Sequence, residues 1–147
     1  MSAGRKRVET LQAALKAASP QFNSPTYQAI DAELGEAASV RRTNPERRRH
    51  LLQIMHFCRA LNTALKQVVS NHGGNPDRAT MGQCFTQMTN PPMNFITEET
   101  RNNFVKDVCE PRNTFMHEAN AFPGSAYETA IHLGNIAACF CQILTLV

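Results

Sequence analysis

Residues 44–72 read NPERRRHLLQIMHFCRALNTALKQVVSNH, and this stretch decides the fold class. Leu51, Met55, Cys58, Leu61, Leu65, Val68 and Val69 recur at three- and four-residue spacing, the stripe of a helix with one face on a core. Asn44-Pro45 is a start signal, because proline fits a first helical turn whose N–H groups lack partners. His72-Gly73-Gly74 supplies the stop, since glycine takes the left-handed conformation that closes a helix. At ~1.5 Å per residue the segment predicts a rod ~40 Å long.

Working outward, the same period recurs on both sides. Val8, Leu11, Ala14, Leu15 and Ala18 mark a helix over residues 6–18 that Pro20 ends. Ser24-Pro25 opens another, with Ser24 as its cap and Tyr27, Ile30, Leu34 and Ala38 as its stripe. Asn75-Pro76 is read as the start of a short helix carrying Met81, Cys84, Phe85 and Met88. Residues 89–96, TNPPMNFI, read as a loop. Thr97 caps TEETRNNFVKDVCE, whose acidic first turn suits the helix dipole. Pro111 is expected to interrupt that helix before RNTFMHEANAF. Pro123-Gly124 breaks it again, and Ser125-x-x-Glu128 has the spacing of a capping box. The last helix, about 126–146, carries Tyr127, Ile131, Gly134, Ala138, Cys141 and Leu144 on one side. No alternating strand, repeat or long linker is present. The expectation is one all-α domain over residues 1–147, a bundle of four to six helices.

Composition narrows the function classes. Of 147 residues, 42% are hydrophobic and 18% charged, which excludes a disordered polyelectrolyte. No apolar run approaches the ~20 residues of a membrane span, and the basic start lacks the apolar core of a secretory signal. The chain is therefore expected to be soluble and cytoplasmic, with no membrane partner. The net charge is +3, and eleven arginines outnumber four lysines. Arginine binds phosphate in bidentate fashion, so the balance leans towards a phosphate-bearing partner. Five cysteines, Cys58, Cys84, Cys109, Cys139 and Cys141, form no C-x-x-C pair and read as buried reduced thiols. No His, Cys or acidic cluster has metal-ligand spacing, and Gly73-Gly74 lacks the Lys-Ser/Thr of a phosphate loop. No metal or other cofactor is expected.

The segment that carries chemistry is Glu110-Pro111-Arg112-Asn113-Thr114-Phe115-Met116-His117-Glu118. Asn113 and His117 are four apart and share a helix face. The long side chain of Arg112 can curl to the same cleft. If the helix restarts at Pro111, Arg112 and Asn113 stand among unpaired N–H groups, a place suited to anions. Histidine moves protons near neutral pH, arginine stabilises charge developing on phosphate, and an asparagine amide orients an oxygen or the imidazole. RNA carries its own nucleophile, the 2′-hydroxyl, so the trio suits phosphodiester cleavage without a metal. A second feature is residues 41–50, where Arg41, Arg42, Arg47, Arg48 and Arg49 face one acid, Glu46. A solvated loop or a contact with RNA phosphates both explain it. Arg5, Lys6 and Arg7 read as a frayed terminus. His50, His56, His72 and His132 read as structural or solvated, and Phe104, Phe115, Phe122 and Phe140 as core.

Arg112-Asn113-x-x-x-His117, just before the last long helix of an all-α chain, resembles the signature of HEPN domains, the higher eukaryotes and prokaryotes nucleotide-binding family. The resemblance covers the architecture of most of the chain, and its specific part is six residues. It implies a HEPN-like bundle and a metal-independent endoribonuclease of a toxin, antiphage-defence or RNA-processing system. His117 would be the acid or base, Arg112 the phosphate binder and Asn113 the polar partner. The products would be a 2′,3′-cyclic phosphate and a 5′-hydroxyl. Such domains pair so that two motifs share one cleft, which implies a homodimer or a heteromer with a related helical subunit. Ala119 stands where the nucleotide-modified toxins of the family carry tyrosine, which departs from that subtype. The alternatives are a noncatalytic nucleotide-binding or adaptor subunit docked on a partner protein, and a small regulatory partner of another enzyme. The apolar last helix, with Ile136, Ala137, Phe140, Ile143 and Leu144, is the expected contact between subunits.

Overall fold

Apolar residues at helical spacing, punctuated by proline and glycine, dictate where the helices run. A computed structural model describes the backbone of residues 3–147 and the side chains of residues 6–147. The elements are α1 Ala3–Ala17, α2 Ser24–Ser39, α3 Glu46–Asn71, α4 Met81–Thr89, α5 Glu98–Phe104, a π-helical turn Val105–Cys109, α6 Glu110–His117 and α7 Ala126–Leu144. Single 3-10 turns lie at Ser19–Gln21 and Val40–Arg42. The fold is all-α, with no strand among the described residues.

Four helices close a ring of contacts. α2 packs on α1 and α3, and α7 packs on α3 and α1. Against this ring α4 packs on α3, α6 on α3, and the π turn on α7 and α4. One core fills the interior, with Leu11, Leu15, Ile30, Leu34, Phe57, Leu61, Phe85 and Phe140 shielded from solvent. Burying a side chain of this size contributes roughly 1.5–3 kcal/mol. No helix among the described residues is long and apolar enough to cross a membrane.

The buried faces differ in places from the sequence stripes. On α3, Ile54 and Phe57 are buried, whereas Leu51 and Met55 are only half-buried. This helix is covered by α2, α7, α4 and α6, so its buried arc is wider than one stripe. On α7 the core face is Leu133, Ile136, Phe140 and Ile143. Tyr127, Ile131 and Ala138, expected on that face, are exposed. α7 is apolar on two sides, and periodicity alone cannot choose between them.

Caps set the helix starts. Asn23, not Ser24, caps α2, its Oδ1 accepting from the Thr26 N–H at 2.8 Å. α4 begins five residues later than expected. There Thr80 Oγ1 accepts from the Gln83 N–H at 3.1 Å, and Gln83 Oε1 accepts from the Thr80 N–H at 2.8 Å. This complete capping box outcompetes Asn75-Pro76, where the Asn75 side chain instead turns back to accept from the Asp77 N–H. Thr97 caps α5 as expected, accepting from the Thr100 N–H. Ser125 caps α7, while the Glu128 carboxylate accepts from the Gly124 N–H rather than closing the box on Ser125. Gly73, at φ +80°, ends α3, where the Gly74 N–H reaches Val69 O at 2.9 Å.

Candidate active site

Pro111 does not interrupt the chain. Residues 98–117 run as one rod through α5, the π turn and α6. The Glu110 N–H donates to the carbonyl of Val105, five residues back instead of four. A proline inside an α-helix removes a hydrogen bond and drives its ring into the preceding turn. The wider π turn immediately before Pro111 gives the ring room. Arg112 and Asn113 consequently sit inside a continuous helix, and the anion site expected at a fresh helix start there is absent.

The three motif residues nevertheless meet. Arg112, Asn113 and His117 line one cavity of about 430 Å³, with Val105 and Cys109 beside them and Thr80, Met81 and Gly82 opposite. Asn113 and His117 are exposed and Arg112 is half-buried. Arg112 Nη1 donates to Asn113 Oδ1 at 3.0 Å, which fixes the guanidinium beside the amide. That acceptor is neutral, so the charge of Arg112 is not cancelled by it. The opposite wall is the first turn of α4, the positive end of a helix dipole. Gly82 leaves space there, since a Cβ on it would meet nothing within 4 Å. A cation, a proton carrier and a helix N-terminus thus converge on one opening, an arrangement suited to a phosphate group. The α4 wall was missed in the sequence, although its signal, Thr80-x-x-Gln83, is a readable capping box.

Cys109 reaches this cavity as a neutral thiol. Burial pushes it up to about 11, against the opposing pull of Arg112. Burial likewise pushes Cys58 up to about 12 and raises Cys139, Cys84 and Cys141. All five cysteines are free; four are buried and Cys141 is half-buried. Among the described residues no group of three or more His, Cys, Asp or Glu could hold a metal ion.

None of the five clustered arginines lines the cavity. Arg41, Arg42, Arg47 and Arg48 are exposed, and Arg49 is half-buried. Arg49 Nη2 and His50 Nε2 both approach Glu46 Oε1, at 3.5 and 3.4 Å. This acid offsets the basic first turn of α3. Arg47 lies over the ring of Phe122, with Cζ 4.8 Å from the centroid. Phe122 is therefore a stacking partner of Arg47 rather than core. It follows His117 by five residues in the chain, so the segment after α6 reaches the basic first turn of α3.

The other histidines are held by neighbours. His56 Nδ1 is 2.6 Å from Glu33 Oε2, and Arg59 Nε donates to Glu33 Oε1 at 2.8 Å. His72 Nε2 contacts Leu146 O at 2.8 Å. His132 stands edge-on to Phe115 and 3.5 Å from Glu128. Phe140 is fully buried, and Phe104 and Phe115 pack against the core. Ile136, Phe140, Ile143 and Leu144, expected at a subunit contact, belong to the protomer's own core instead. They are consumed by α1 and α3, and among the described residues the large apolar side chains left exposed are Tyr127 and Ile131. Comparison with protein-family models, with curated proteins and with solved structures yields no match.

Proposed function

We propose that this chain is a HEPN-like, metal-independent endoribonuclease that cleaves RNA by attack of the 2′-hydroxyl on the adjacent phosphate. One observation carries the reading: Arg112, Asn113 and His117 line a single open cavity whose far wall is a helix N-terminus. In the reaction His117 takes the proton of the 2′-hydroxyl, and the new bond runs from O2′ to phosphorus. The bond from phosphorus to O5′ breaks, and O5′ leaves as a hydroxyl after gaining a proton. The products are a 2′,3′-cyclic phosphate and a 5′-hydroxyl. Arg112 stabilises the charge that builds on the phosphate oxygens. Asn113 holds the guanidinium at the cavity through its 3.0 Å hydrogen bond.

One motif offers one histidine, whereas the step benefits from a base and an acid. A second copy of the chain, related by a twofold axis near α6, supplies the other, and an isologous dimer is the commonest way to obtain such a pair. The exposed arginines Arg41, Arg42 and Arg48 hold flanking RNA phosphates.

The test is incubation of purified protein with total RNA in excess EDTA, beside His117→Ala and Arg112→Ala. Cleavage that leaves cyclic phosphate ends, persists in EDTA and is lost in both variants supports the assignment. Equal cleavage by all three proteins, or activity that vanishes in EDTA and returns with Mg²⁺, refutes it.

A further inference from the structure

Lys6 and Arg7 do not behave as a frayed terminus; they lie within α1, and Arg7 is half-buried. The guanidinium lies against α7 where Gly134 has no side chain. A Cβ there would stand 3.4 Å from Nη2 and 3.5 Å from Nη1 of Arg7. Arg7 Nε is shielded from solvent and has no hydrogen-bond partner. A buried donor without an acceptor is costly, and a charged one more so.

Arg7 is also one of the residues lining a cavity of about 330 Å³ between α1 and α7, with Lys6, Thr10, Leu11, Ala137 and Cys141. That volume falls in the range of small-molecule sites, ~300–1,000 Å³. Its chemistry is two-sided. On the α1 side Lys6 and Arg7 give two cations and Thr10 a hydroxyl, and on the α7 side Ala137 and the neutral thiol of Cys141 give an apolar surface, Leu11 itself being fully buried. The Thr10 hydroxyl donates to Lys6 O at 3.0 Å, which leaves its oxygen free to accept. A planar guanidinium offers paired N–H groups that match the two oxygens of a carboxylate or phosphate, and with Nε shielded the Nη groups are the ones left for a ligand.

We infer that the α1–α7 cavity binds a small organic anion, its carboxylate or phosphate paired with Arg7 and Lys6 and its apolar body lying on Ala137 and Cys141. The cavity shares no residue with the one lined by Arg112 and His117. The inference therefore stands whether or not the chain cleaves RNA.

The test is a titration of ¹⁵N-labelled protein with phenyl phosphate, benzoate, inorganic phosphate and phenol, following the side-chain Nε–H of Arg7 and the backbone amide of Ala137. Phenyl phosphate and benzoate shift both signals and bind at least about tenfold more tightly than inorganic phosphate or phenol, because only they meet both sides of the cavity. Arg7→Met keeps the apolar stem, removes the charge, and weakens phenyl phosphate by about tenfold or more. Ala137→Leu fills the apolar side and removes the advantage of phenyl phosphate over inorganic phosphate. Arg112→Ala leaves the Arg7 shift intact, which separates this site from the motif cavity. An Arg7 Nε–H signal unmoved by saturating phenyl phosphate overturns the inference without any variant. Equal affinity of Arg7→Met and the unaltered chain overturns it as well.

Discussion

Replacing His117 with alanine separates chemistry from folding, because the structure makes the two effects differ widely in size. His117 is exposed and is the last residue of α6. Among the described residues it makes no hydrogen bond or ion pair. Surface substitutions of this kind stay within about 0.5 kcal/mol. Loss of a basic side chain at a helix C-terminus adds ~0.3–1 kcal/mol when the imidazole is charged. A stability loss of ~1 kcal/mol lowers Tm by ~2–4 °C in a chain of this size. Against a typical reserve of ~5–15 kcal/mol it leaves the protein folded. A general acid or base contributes ~10²–10⁴ in rate, which is ~2.7–5.4 kcal/mol of barrier. The expected outcome is a hundredfold or larger drop in RNA cleavage with helical circular dichroism unchanged and Tm within a few degrees. Gel analysis of a defined RNA in EDTA, with the cyclic phosphate ends scored, measures the first quantity, and thermal melts measure the second. Activity within about threefold of the unaltered protein refutes the role of His117, since no acid–base contribution is that small. A Tm falling by more than ~10 °C together with the activity refutes the structural premise that the side chain is free.

Replacing Arg41, Arg42 and Arg48 with alanine is expected to lower the salt slope of RNA binding by ~2, at ~0.7 per phosphate contact on a single strand; an unchanged slope returns these arginines to a solvated face. Stability should also depend on alkaline pH through the buried thiols. Their raised pKa values in the folded chain mean that the unfolded chain ionises first, above pH ~8.5. The stabilisation is thus complete below that pH and drains away as pH climbs towards about 11 for Cys109 and about 12 for Cys58. Urea midpoints should hold level from pH ~6 to ~8 and fall above pH ~9, less steeply in Cys58→Ala; a midpoint flat through pH ~10.5 contradicts the burial of these groups. Phe57→Ala, at a position 1% exposed, should cost ~3–5 kcal/mol, and a cost under ~1 kcal/mol would mean that α3 is not the packed centre. Mixing an Arg112→Ala chain with a His117→Ala chain should recover part of the cleavage if two copies share one cleft, whereas a fully active monomer in solution would exclude sharing.

Much of the helical layout was legible because its signals are local. The run from Leu51 to Val69, the stop at Gly73-Gly74 and the cap at Thr97 each depend on residues within a few positions of one another. The motif was legible for the same reason, since Asn113 and His117 are one turn apart on a single helix. Legibility failed where two local signals competed. Asn75-Pro76 and Thr80-x-x-Gln83 both announce a helix start, and the second satisfies two N–H groups reciprocally where the Asn75 side chain satisfies one, that of Asp77. Proline at 111 announced a break, yet the π turn ahead of it accommodates the ring, a choice that depends on the whole rod packing against α3, α4 and α7.

The sequence by itself determined that the chain is helical, roughly where most helices start and stop, and that Arg112, Asn113 and His117 fall on one segment. Periodicity, prolines, glycines and caps act over one or two turns, so they are readable in one dimension. Only the tertiary structure decided which face of each helix is inside, because a helix with two apolar sides, such as α7, is oriented by its neighbours. That choice moved Ile136, Phe140, Ile143 and Leu144 into the core and left Tyr127 and Ile131 outside. Tertiary packing also built both cavities. It set the first turn of α4 across from Arg112 and His117, and it laid Arg7 into the notch at Gly134, more than a hundred residues away in the chain. Contacts between residues so far apart in sequence leave no local pattern, because it is the packing of the helices, and not any spacing within them, that brings such groups together.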